Sequence, residues 1–360
     1  MTTQCADNSN GIDIKVGQYI TCKTAKYVVM EKIGQGGYGA VYRVKLESNH
    51  NEEYAMKVEQ KLQSRERSKL NMELHLLKLM SNQPHARHFT KIINRAEKLH
   101  FFLIVMTLLG ESLAELKRQY CPPIFSLATS LGVSIQCLEG IEQLHKVGFI
   151  HRDIKPGNFA IGLPPNMHVI YILDFGIARK YTNSAGDIKG PRCKVAFKGT
   201  VRYAALACHR GKELGPKDDC ESWLYMMVDY TNPNGLTWKQ DKERKKVETR
   251  KVEARTSDGK KRLFENMSEK DMSDIMDYID KLDYQDRVDY QYLYGKIRKA
   301  ALTANVQIDE PYDWEMQEEP DDEERASKRI PDAAEKNILI KDEIQQKRKV
   351  TVRTAKTYSN

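Results

Sequence analysis

Five chemically useful side chains fall within the short run 151–158, which reads His-Arg-Asp-Ile-Lys-Pro-Gly-Asn. With about 20 residue types, so many specified positions recur by chance in a chain of this length with a frequency of only about 10⁻⁴. An aspartate can accept the proton of an attacking hydroxyl, a lysine can neutralise a phosphoryl group, and an asparagine can bind a metal ion. We therefore predict a phosphoryl-transfer centre in which Asp153 and Lys155 are catalytic and Asn158 is a metal ligand.

The triplet Asp174-Phe175-Gly176 stands sixteen residues beyond Asn158 and follows an apolar, strand-like run at 169–173. Alone, such a triplet is an ordinary turn. Its order and spacing after the first motif favour a metal ligand instead. The Asp174 carboxylate would hold Mg²⁺, or alternatively Mn²⁺, against the β- and γ-phosphates of a nucleotide.

A glycine-rich segment, Gly34-Gln-Gly-Gly-Tyr-Gly39, lies between two runs of alternating apolar residues. Glycines let the backbone approach a ligand closely and offer N–H groups to phosphate oxygens. A strand follows the last glycine, where a dinucleotide-binding fold would need a helix. The segment is therefore either a lid, that is, a loop that covers the phosphates of a bound nucleotide, or a glycine-rich hairpin without a ligand. As a lid, its nucleotide-binding residues would be Ile33, Gly34, Gln35, Gly36, Gly37, Tyr38, Gly39 and Val41.

Lys57 stands on the next predicted strand, and Glu73 stands on the helix after it, beside the apolar residues Leu70, Leu74 and Leu77. Each residue taken alone is most simply a solvated surface residue. As a pair, the glutamate could hold the lysine ammonium against the α- and β-phosphates of a nucleotide.

These residues require a particular arrangement of secondary structure. Alternating apolar positions predict strands within 27–60, and an apolar run predicts another strand at 101–106. Apolar residues spaced three and four apart predict helices over 64–80 and 127–144. A strand-rich first third followed by a helix-rich remainder predicts an α+β protein with two lobes and a crossover at 106–110.

Composition narrows the class of protein. The 360 residues include 40% hydrophobic ones, enough for a sizeable core, and no apolar stretch approaches the ~20 residues of a membrane span. The seven cysteines are scattered without a CxxC pair, and the N-terminus has no secretory pattern. We therefore expect a cytoplasmic or nuclear location and no membrane span. Arginines and aromatics do not interleave, so a nucleic-acid partner is not expected.

The net charge of +8 is unevenly distributed. Residues 239–262 carry 11 basic and 5 acidic side chains, whereas residues 315–360 carry 10 basic and 11 acidic ones. The first stretch reads most simply as a solvated loop. The second is nearly free of aromatic residues and predicts a disordered tail, with a transient helix around 332–346.

Taken in order, these motifs resemble those of eukaryotic protein kinases over residues 27–310. The Gly199-Thr200-Val-Arg-Tyr203 segment and Asp218-Asp219 resemble the casein kinase 1 superfamily. Closest are members of the tau-tubulin kinase branch, through the residues around Asp174, Asp289-Tyr-Gln291 and Pro311-Tyr-Asp-Trp-Glu315.

The resemblance implies a bilobal protein kinase fold that binds ATP at a hinge between a strand-rich N-lobe and a helical C-lobe. We expect an extension at 1–26, a kinase domain at 27–314 divided after residue 106, a tail at 315–360, and a monomer. Met106 would be the gatekeeper and Leu109 a hinge residue. Thr200 would contact Asp153 and Lys155, and Asp219 would anchor the catalytic loop.

The resemblance also implies the substrate. Lys155 matches the serine/threonine pattern, so the expected reaction moves the ATP γ-phosphoryl group to protein Ser or Thr hydroxyls. Arg192, Lys194 and Lys246 would bind an acidic or already phosphorylated protein, although a solvated basic loop is the simpler alternative.

The chain departs from the pattern of these kinases at two places: the hinge and the sequence that fastens the end of the activation segment (174–200). Thr107 stands in the hinge where casein kinase 1 members usually have glutamate. Residues 205–207 read Ala-Leu-Ala in place of the Ser-Ile-Asn of casein kinase 1 members or the Ala-Pro-Glu of other kinases. A pseudokinase scaffold that binds a partner without phosphoryl transfer is therefore the alternative function.

Overall fold

The fold is taken from a computed structural model that describes residues 14–36, 39–61 and 68–316. The chain separates into two units, residues 1–315 and 316–360. Two predicted nucleotide-binding residues, Gly37 and Tyr38, lie outside the described residues. So do the predictions of a disordered tail beyond residue 316 and of a transient helix within it.

The N-lobe, which comprises the described residues up to Thr107, is built on one antiparallel sheet. Its strands are β1 (Tyr19–Thr21), β2 (Lys26–Gly36), β3 (Gly39–Leu46), β4 (Asn49–Gln60), β5 (Ile92–Glu97) and β6 (Phe101–Thr107), in the order β1-β2-β3-β4-β6-β5. Apolar side chains alternate along β3, and its buried positions form one face of the core.

The sheet begins earlier in the chain than the sequence indicates. Strand β1 pairs with β2, and Ile14, Ile20 and Cys22 are buried in the sheet core. Part of the predicted extension at 1–26 therefore belongs to the N-lobe.

Helix α1 (Lys69–Ser81) packs on the sheet and is capped at its first turn. Ser68 Oγ accepts the N–H of Asn71 at 3.2 Å. The Glu59 carboxylate on β4 accepts the N–H of Leu70 at 2.5 Å and that of Lys69 at 3.1 Å. An anion at a helix N-terminus satisfies orphan N–H groups and complements the helix dipole. The start of α1 is thereby fixed to the strand that carries Lys57.

The C-lobe, from Leu108 onward, is mainly helical in its described part. The helices are α2 (Leu113–Arg118), α3 (Leu127–Lys146), α4 (Leu206–His209), α5 (Pro216–Thr231), α6 (Arg244–Glu253), α7 (Ser257–Leu263), α8 (Glu269–Lys281) and α9 (Tyr290–Ala304). Helices α3 and α5 contribute much of the core, and α5 is buried along almost its whole length. Two small antiparallel sheets of two strands each pair β7 (Phe149–Ile150) with β10 (Arg179–Lys180) and β8 (Phe159–Ile161) with β9 (Ile170–Ile172).

The fold therefore confirms the predicted α+β bilobal architecture. The predictions of strands at 101–106 and of helices at 64–80 and 127–144 correspond to β6, α1 and α3, although α1 starts later. The interpretation of 239–262 as a solvated loop is wrong, because this stretch forms α6 and most of α7 and buries Val247, Lys251 and Gly259. In the described part of the chain, no helix is long and apolar enough to cross a membrane.

The Pro311–Glu315 motif closes the C-lobe against the start of α3. Asp313 Oδ2 accepts the N–H of Ser126 at 2.7 Å, and Oδ1 accepts the hydroxyls of Ser126 at 2.6 Å and Thr129 at 2.8 Å. Trp314 packs edge-on against Phe125, with ring centroids 5.4 Å apart. The motif is thus a long-range cap for the helix that precedes the catalytic loop.

We expect Asp313→Ala to lower the free energy of unfolding by about 1–2 kcal/mol, because it removes the acceptor for the start of α3. Urea denaturation would measure the change. The matched control is Asp309→Ala, which removes an exposed aspartate nearby. Equal effects of the two substitutions would contradict the capping role.

Candidate functional site

A cleft of about 500 Å³ lies between the lobes. The glycine-rich strands β2 and β3 form one wall, and the hinge and β8 form others. Gly34 lies on β2 beside the lining residues. The cleft is lined by most of the predicted nucleotide and metal residues: Ile33, Gln35, Gly36, Gly39, Val41, Lys57, Glu73, Met106, Leu109, Asn158 and Asp174.

Lys57 stands at the centre of the cleft between two carboxylates. Its Nζ lies 2.5 Å from Glu73 Oε2 and 3.2 Å from Asp174 Oδ1. Burial alone would lower the pKa of Lys57, but the charges of Glu73 and Asp174 outweigh it and raise that pKa. Burial also works against ionised Asp174, yet the charge and hydrogen bond of Lys57 hold its pKa below the usual value. Both charges therefore persist at neutral pH.

Asp153 forms hydrogen bonds with three predicted site residues, Lys155, Asn158 and Thr200. Its Oδ1 accepts the Thr200 hydroxyl at 2.7 Å, and its Oδ2 accepts Lys155 Nζ at 2.7 Å. Lys155 Nζ also donates to Thr200 Oγ1 at 3.2 Å, and Asn158 Nδ2 donates to the Asp153 carbonyl at 2.8 Å. The structure thus brings together the three predicted catalytic residues and one predicted metal ligand.

The backbone of this loop is fixed from below by Asp219 of α5. Its carboxylate accepts the N–H groups of His151 at 2.6 Å and Arg152 at 2.9 Å. Arg152 has φ +71, a conformation that costs free energy and needs such support. Burial opposes ionised Asp219, but its hydrogen bond and charge interaction with His145 lower the pKa overall. This contact gives Asp219 the anchoring role implied by the resemblance.

The imidazole of His151 has a defined tautomer. Its Nδ1 accepts the N–H of Asp153 at 3.2 Å, so Nε2 carries the proton and donates to the Leu173 carbonyl at 2.9 Å. Phe175 then packs on His151, with centroids 5.5 Å apart, and stacks on Phe89 at 5.7 Å. The two sequence motifs are therefore joined through one histidine and one phenylalanine.

Asn158 and Asp174 fit a hard divalent cation. Asn158 donates through Nδ2 to the Asp153 carbonyl, so its Oδ1 is the atom suited to a cation. Asp174 adopts the left-handed conformation, φ 60, at the cleft, and its side chain is 51% exposed. Mg²⁺ and Mn²⁺ favour one or two such oxygens supplemented by phosphate oxygens and water. Consistently, no group of three or more His, Cys, Asp or Glu residues suited to a metal occurs in the described part of the chain.

Sequence analysis missed several residues of the site, among them Ala55, Glu59 and Leu173. Ala55 and Leu173 line the cleft, and Glu59 both lines it and caps α1. Ala55, Lys57 and Glu59 occupy alternate positions of one strand, so their side chains share a face. That period of two could have identified Ala55 and Glu59, and the position of Leu173 immediately before Asp174 could have identified the third.

The predicted anion residues have different surroundings. Arg192 is paired with Glu213: Nε lies 2.5 Å from Oε2, and Nη2 lies 3.0 Å from Oε1. Lys194 is exposed. Lys246 is exposed on α6 and lies 3.8 Å from Glu243. Glu213 thus already occupies two N–H groups of Arg192, and a phosphate would have to use the remaining ones or displace this buried carboxylate.

The activation segment and α6 are nevertheless neighbours. The Arg244 guanidinium of α6 lies over the Phe197 ring of the activation segment, 4.2 Å from its centroid. Arg202 Nη2 donates to the Lys239 carbonyl at 3.1 Å. The activation segment and the basic stretch 239–262 are therefore in contact.

Gly199 is required at its position by geometry. It has φ +98, and a Cβ there would lie 2.4 Å from the Arg152 carbonyl oxygen. Any side chain would therefore push the segment that carries Thr200 away from the catalytic loop.

We expect Gly199→Ala to lower the free energy of unfolding by at least ~2 kcal/mol, from backbone strain and this overlap together. Gly186→Ala isolates the strain, because Gly186 has φ +88 and open space around it, and should cost about 1 kcal/mol. Gly190→Ala, also in open space and without positive φ, should cost little. Urea denaturation of the three variants tests this order, and equal losses at 199 and 186 would contradict the close approach.

Comparison with known proteins agrees with this geometry. The protein kinase domain model matches residues 27–296. A probable serine/threonine-protein kinase of Dictyostelium discoideum is 32% identical over 293 residues, which cover 81% of this chain and 57% of that protein. A putative serine/threonine-protein kinase of Caenorhabditis elegans is 40% identical over 191 residues, 52% of this chain and 58% of its own.

A third relative is covered more fully. The serine/threonine-protein kinase spe-6 of Caenorhabditis elegans is 33% identical over 296 residues, 81% of this chain and 76% of its own. The chain spans less than three fifths of the length of the first two relatives. The family match over residues 27–296 coincides with the lobes that form the cleft. This chain therefore belongs to the protein kinase domain family.

Proposed function

We propose that this protein is a serine/threonine kinase that transfers the γ-phosphoryl group of ATP to Ser and Thr hydroxyls of proteins. The observation that carries this proposal is the complete Asp153–Lys155–Thr200 network at the mouth of the cleft. The names of the three relatives, each a serine/threonine-protein kinase, support the same class of substrate.

Each part of the site has a distinct task in this reaction. Lys57, fixed by Glu73, holds the α- and β-phosphates, and Asp153 orients the attacking hydroxyl and accepts its proton. Lys155 neutralises charge on the transferring phosphoryl group. A divalent ion held by Asn158 and Asp174 would neutralise phosphate charge when bound. Catalysis depends on positioning and electrostatics, with no covalent enzyme intermediate.

We expect Asp174→Asn and Asp153→Asn each to reduce phosphoryl transfer by at least ~100-fold, since each removes a charge used in the transition state. Transfer of label from radiolabelled ATP to casein would measure it. The control is Asp187→Asn, an exposed aspartate of the activation segment. Full activity of Asp174→Asn would refute the metal assignment.

The alternative function, a pseudokinase scaffold, is distinguished by the same assay. A scaffold would bind ATP or a partner, but the wild-type protein would transfer no label. Lys57, Asp153 and Asp174, the residues whose loss usually marks a pseudokinase, are all in place.

We further propose that the protein belongs to the casein kinase 1 superfamily, near the tau-tubulin kinase branch, and favours acidic or phosphorylated substrates. The contact between the activation segment and α6 supports this preference, because it brings two basic stretches together. Lys194 and Lys246 are both exposed and available to a phosphate. Arg192 is exposed as well, but two of its N–H groups are already used by Glu213.

We expect Lys194→Ala with Lys246→Ala to raise the KM of a phosphorylated peptide about tenfold relative to that of its unphosphorylated form. Steady-state kinetics with both peptides would measure the ratio. Lys281→Ala, an exposed lysine of α8, is the control. An unchanged ratio in the double variant would remove the proposed site.

Arg192 is tested separately, because its substitution also disturbs Glu213. If Arg192 binds substrate phosphate, Arg192→Ala lowers the preference for the phosphorylated peptide, and Glu213→Gln, which weakens the competing pair, raises it. If both variants slow the two peptides equally, Arg192 has a structural role only.

A monomeric state and a cytoplasmic or nuclear location are also proposals. Light scattering of the purified protein and imaging of the tagged full chain would test them.

A further inference from the structure

The segment Val201–Leu206, here called the docking turn, follows Thr200 directly. Because Thr200 contacts Asp153, substrate residues adjacent to the accepting hydroxyl must pass along this turn. At residues 205–207 the chain has neither Ala-Pro-Glu nor Ser-Ile-Asn, the sequences that would be expected to hold the end of this turn in place. Other residues of the C-lobe must therefore hold the docking turn.

Lys251 of α6 reaches the docking turn from beneath. It is fully buried, and its Nζ donates to the Ala204 carbonyl at 2.5 Å and the Val201 carbonyl at 3.2 Å. Nζ also lies 3.3 Å from His209 Nε2. Two donors of the Lys251 ammonium are therefore used by carbonyl groups of the docking turn.

The surroundings of Lys251 suit a buried cation. The rings of Tyr225 and Trp238 lie 4.8 and 5.3 Å from Nζ. Burial lowers the pKa of Lys251 to about 7, and the Glu221 charge partly opposes this effect. A neutral amine retains two donors, so both carbonyl bonds survive in either protonation state. Burial and then the charge of Lys251 lower the pKa of His209 to about 4, which keeps its imidazole neutral.

Two further contacts fix the same turn. Trp238 Nε1 donates to the Arg202 carbonyl at 2.7 Å, and Glu221 accepts the N–H of Leu206 at 3.0 Å. Arg255 in turn donates to Glu221 at 3.0 Å. Side chains from α5, α6 and the connection between them therefore hold backbone groups at both ends and the middle of the turn.

We propose that Lys251 is a positioning residue for the protein substrate: it shapes the docking turn by binding two of its carbonyls, in place of the missing terminal motif. This inference rests on the proposed kinase function. It separates Lys251 from the other basic residues of α6, because Lys251 is withdrawn from the surface and its Nζ binds carbonyl groups of the turn.

The test is Lys251→Met, which retains the length and apolar body of the side chain but removes its donors. We expect the KM of a peptide substrate to rise about tenfold, because two buried carbonyls lose their partner and the turn relaxes. The kcat and the KM of ATP should stay within about twofold of wild type. Lys261→Met, an exposed lysine of α7, is the matched control and should leave all three unchanged.

An unchanged peptide KM in folded Lys251→Met would overturn the inference, as would an equal rise in the KM values of peptide and ATP. If that variant does not fold, Trp238→Phe is the second variant, because it keeps an aromatic ring at this position, although a smaller one, and removes the donor to Arg202. It should produce the same selective rise in peptide KM, and no rise would overturn the role of the turn.

Hydrogen exchange separates this inference from the proposed function. The N–H groups of Tyr203 and Ala204 bond to the Thr200 carbonyl at 3.0 and 2.9 Å. They should exchange at least tenfold faster in Lys251→Met than in wild type, whether or not the protein transfers phosphate. A wild type without transfer would refute the kinase proposal, whereas unchanged exchange rates would refute the role of Lys251.

Discussion

The structure depends first on the neutralisation of one partly buried cation, Lys57. Its ammonium lies on a central strand of the N-lobe, and the two carboxylates that balance it come from α1 and from the segment after β9. Removing either carboxylate would weaken the neutralisation of a partly buried charge, which is costly. This single interaction therefore ties the sheet, α1 and the segment after β9 into one arrangement. Glu59 reinforces it, because the same strand also holds the start of α1.

The catalytic loop is built by the same physical rule, with the charges reversed. Asp219 is a buried anion, and the N–H groups of His151 and Arg152 satisfy it together with His145. The positive φ of Arg152 is the local cost of this geometry, and the contacts of α5 offset it. Lys57 and Asp219 thus fix the two halves of the site independently, and His151 with Phe175 connects them.

The excess of positive charge has two quite different uses in this fold. Lys194 and Lys246 remain at the surface, where acidic groups of a substrate can approach them. Lys251 and Arg255 belong to the same basic stretch of sequence, but they lie inside the C-lobe and hold backbone and carboxylate groups. A run of basic residues on a helix necessarily distributes its side chains around the axis, so some face the core. Amino-acid composition alone does not distinguish the basic residues at the surface from those that lie inside the C-lobe.

The sequence by itself determined the chemistry of the site and the class of fold. Asp153, Lys155, Asn158 and Asp174 lie in short motifs whose spacing reflects local backbone geometry, and the periodic apolar residues of β6 and α3 indicate their own secondary structure. Only the tertiary structure decided which distant groups meet. It paired Arg192 with Glu213, placed Asp313 at the start of α3, buried Lys251 beneath the docking turn and extended the sheet to β1. The physical reason is that such contacts join residues far apart in the chain. Which residues meet is decided by side-chain packing and by the need of buried polar groups for hydrogen-bond partners. Neither requirement leaves a recognisable pattern in the local sequence.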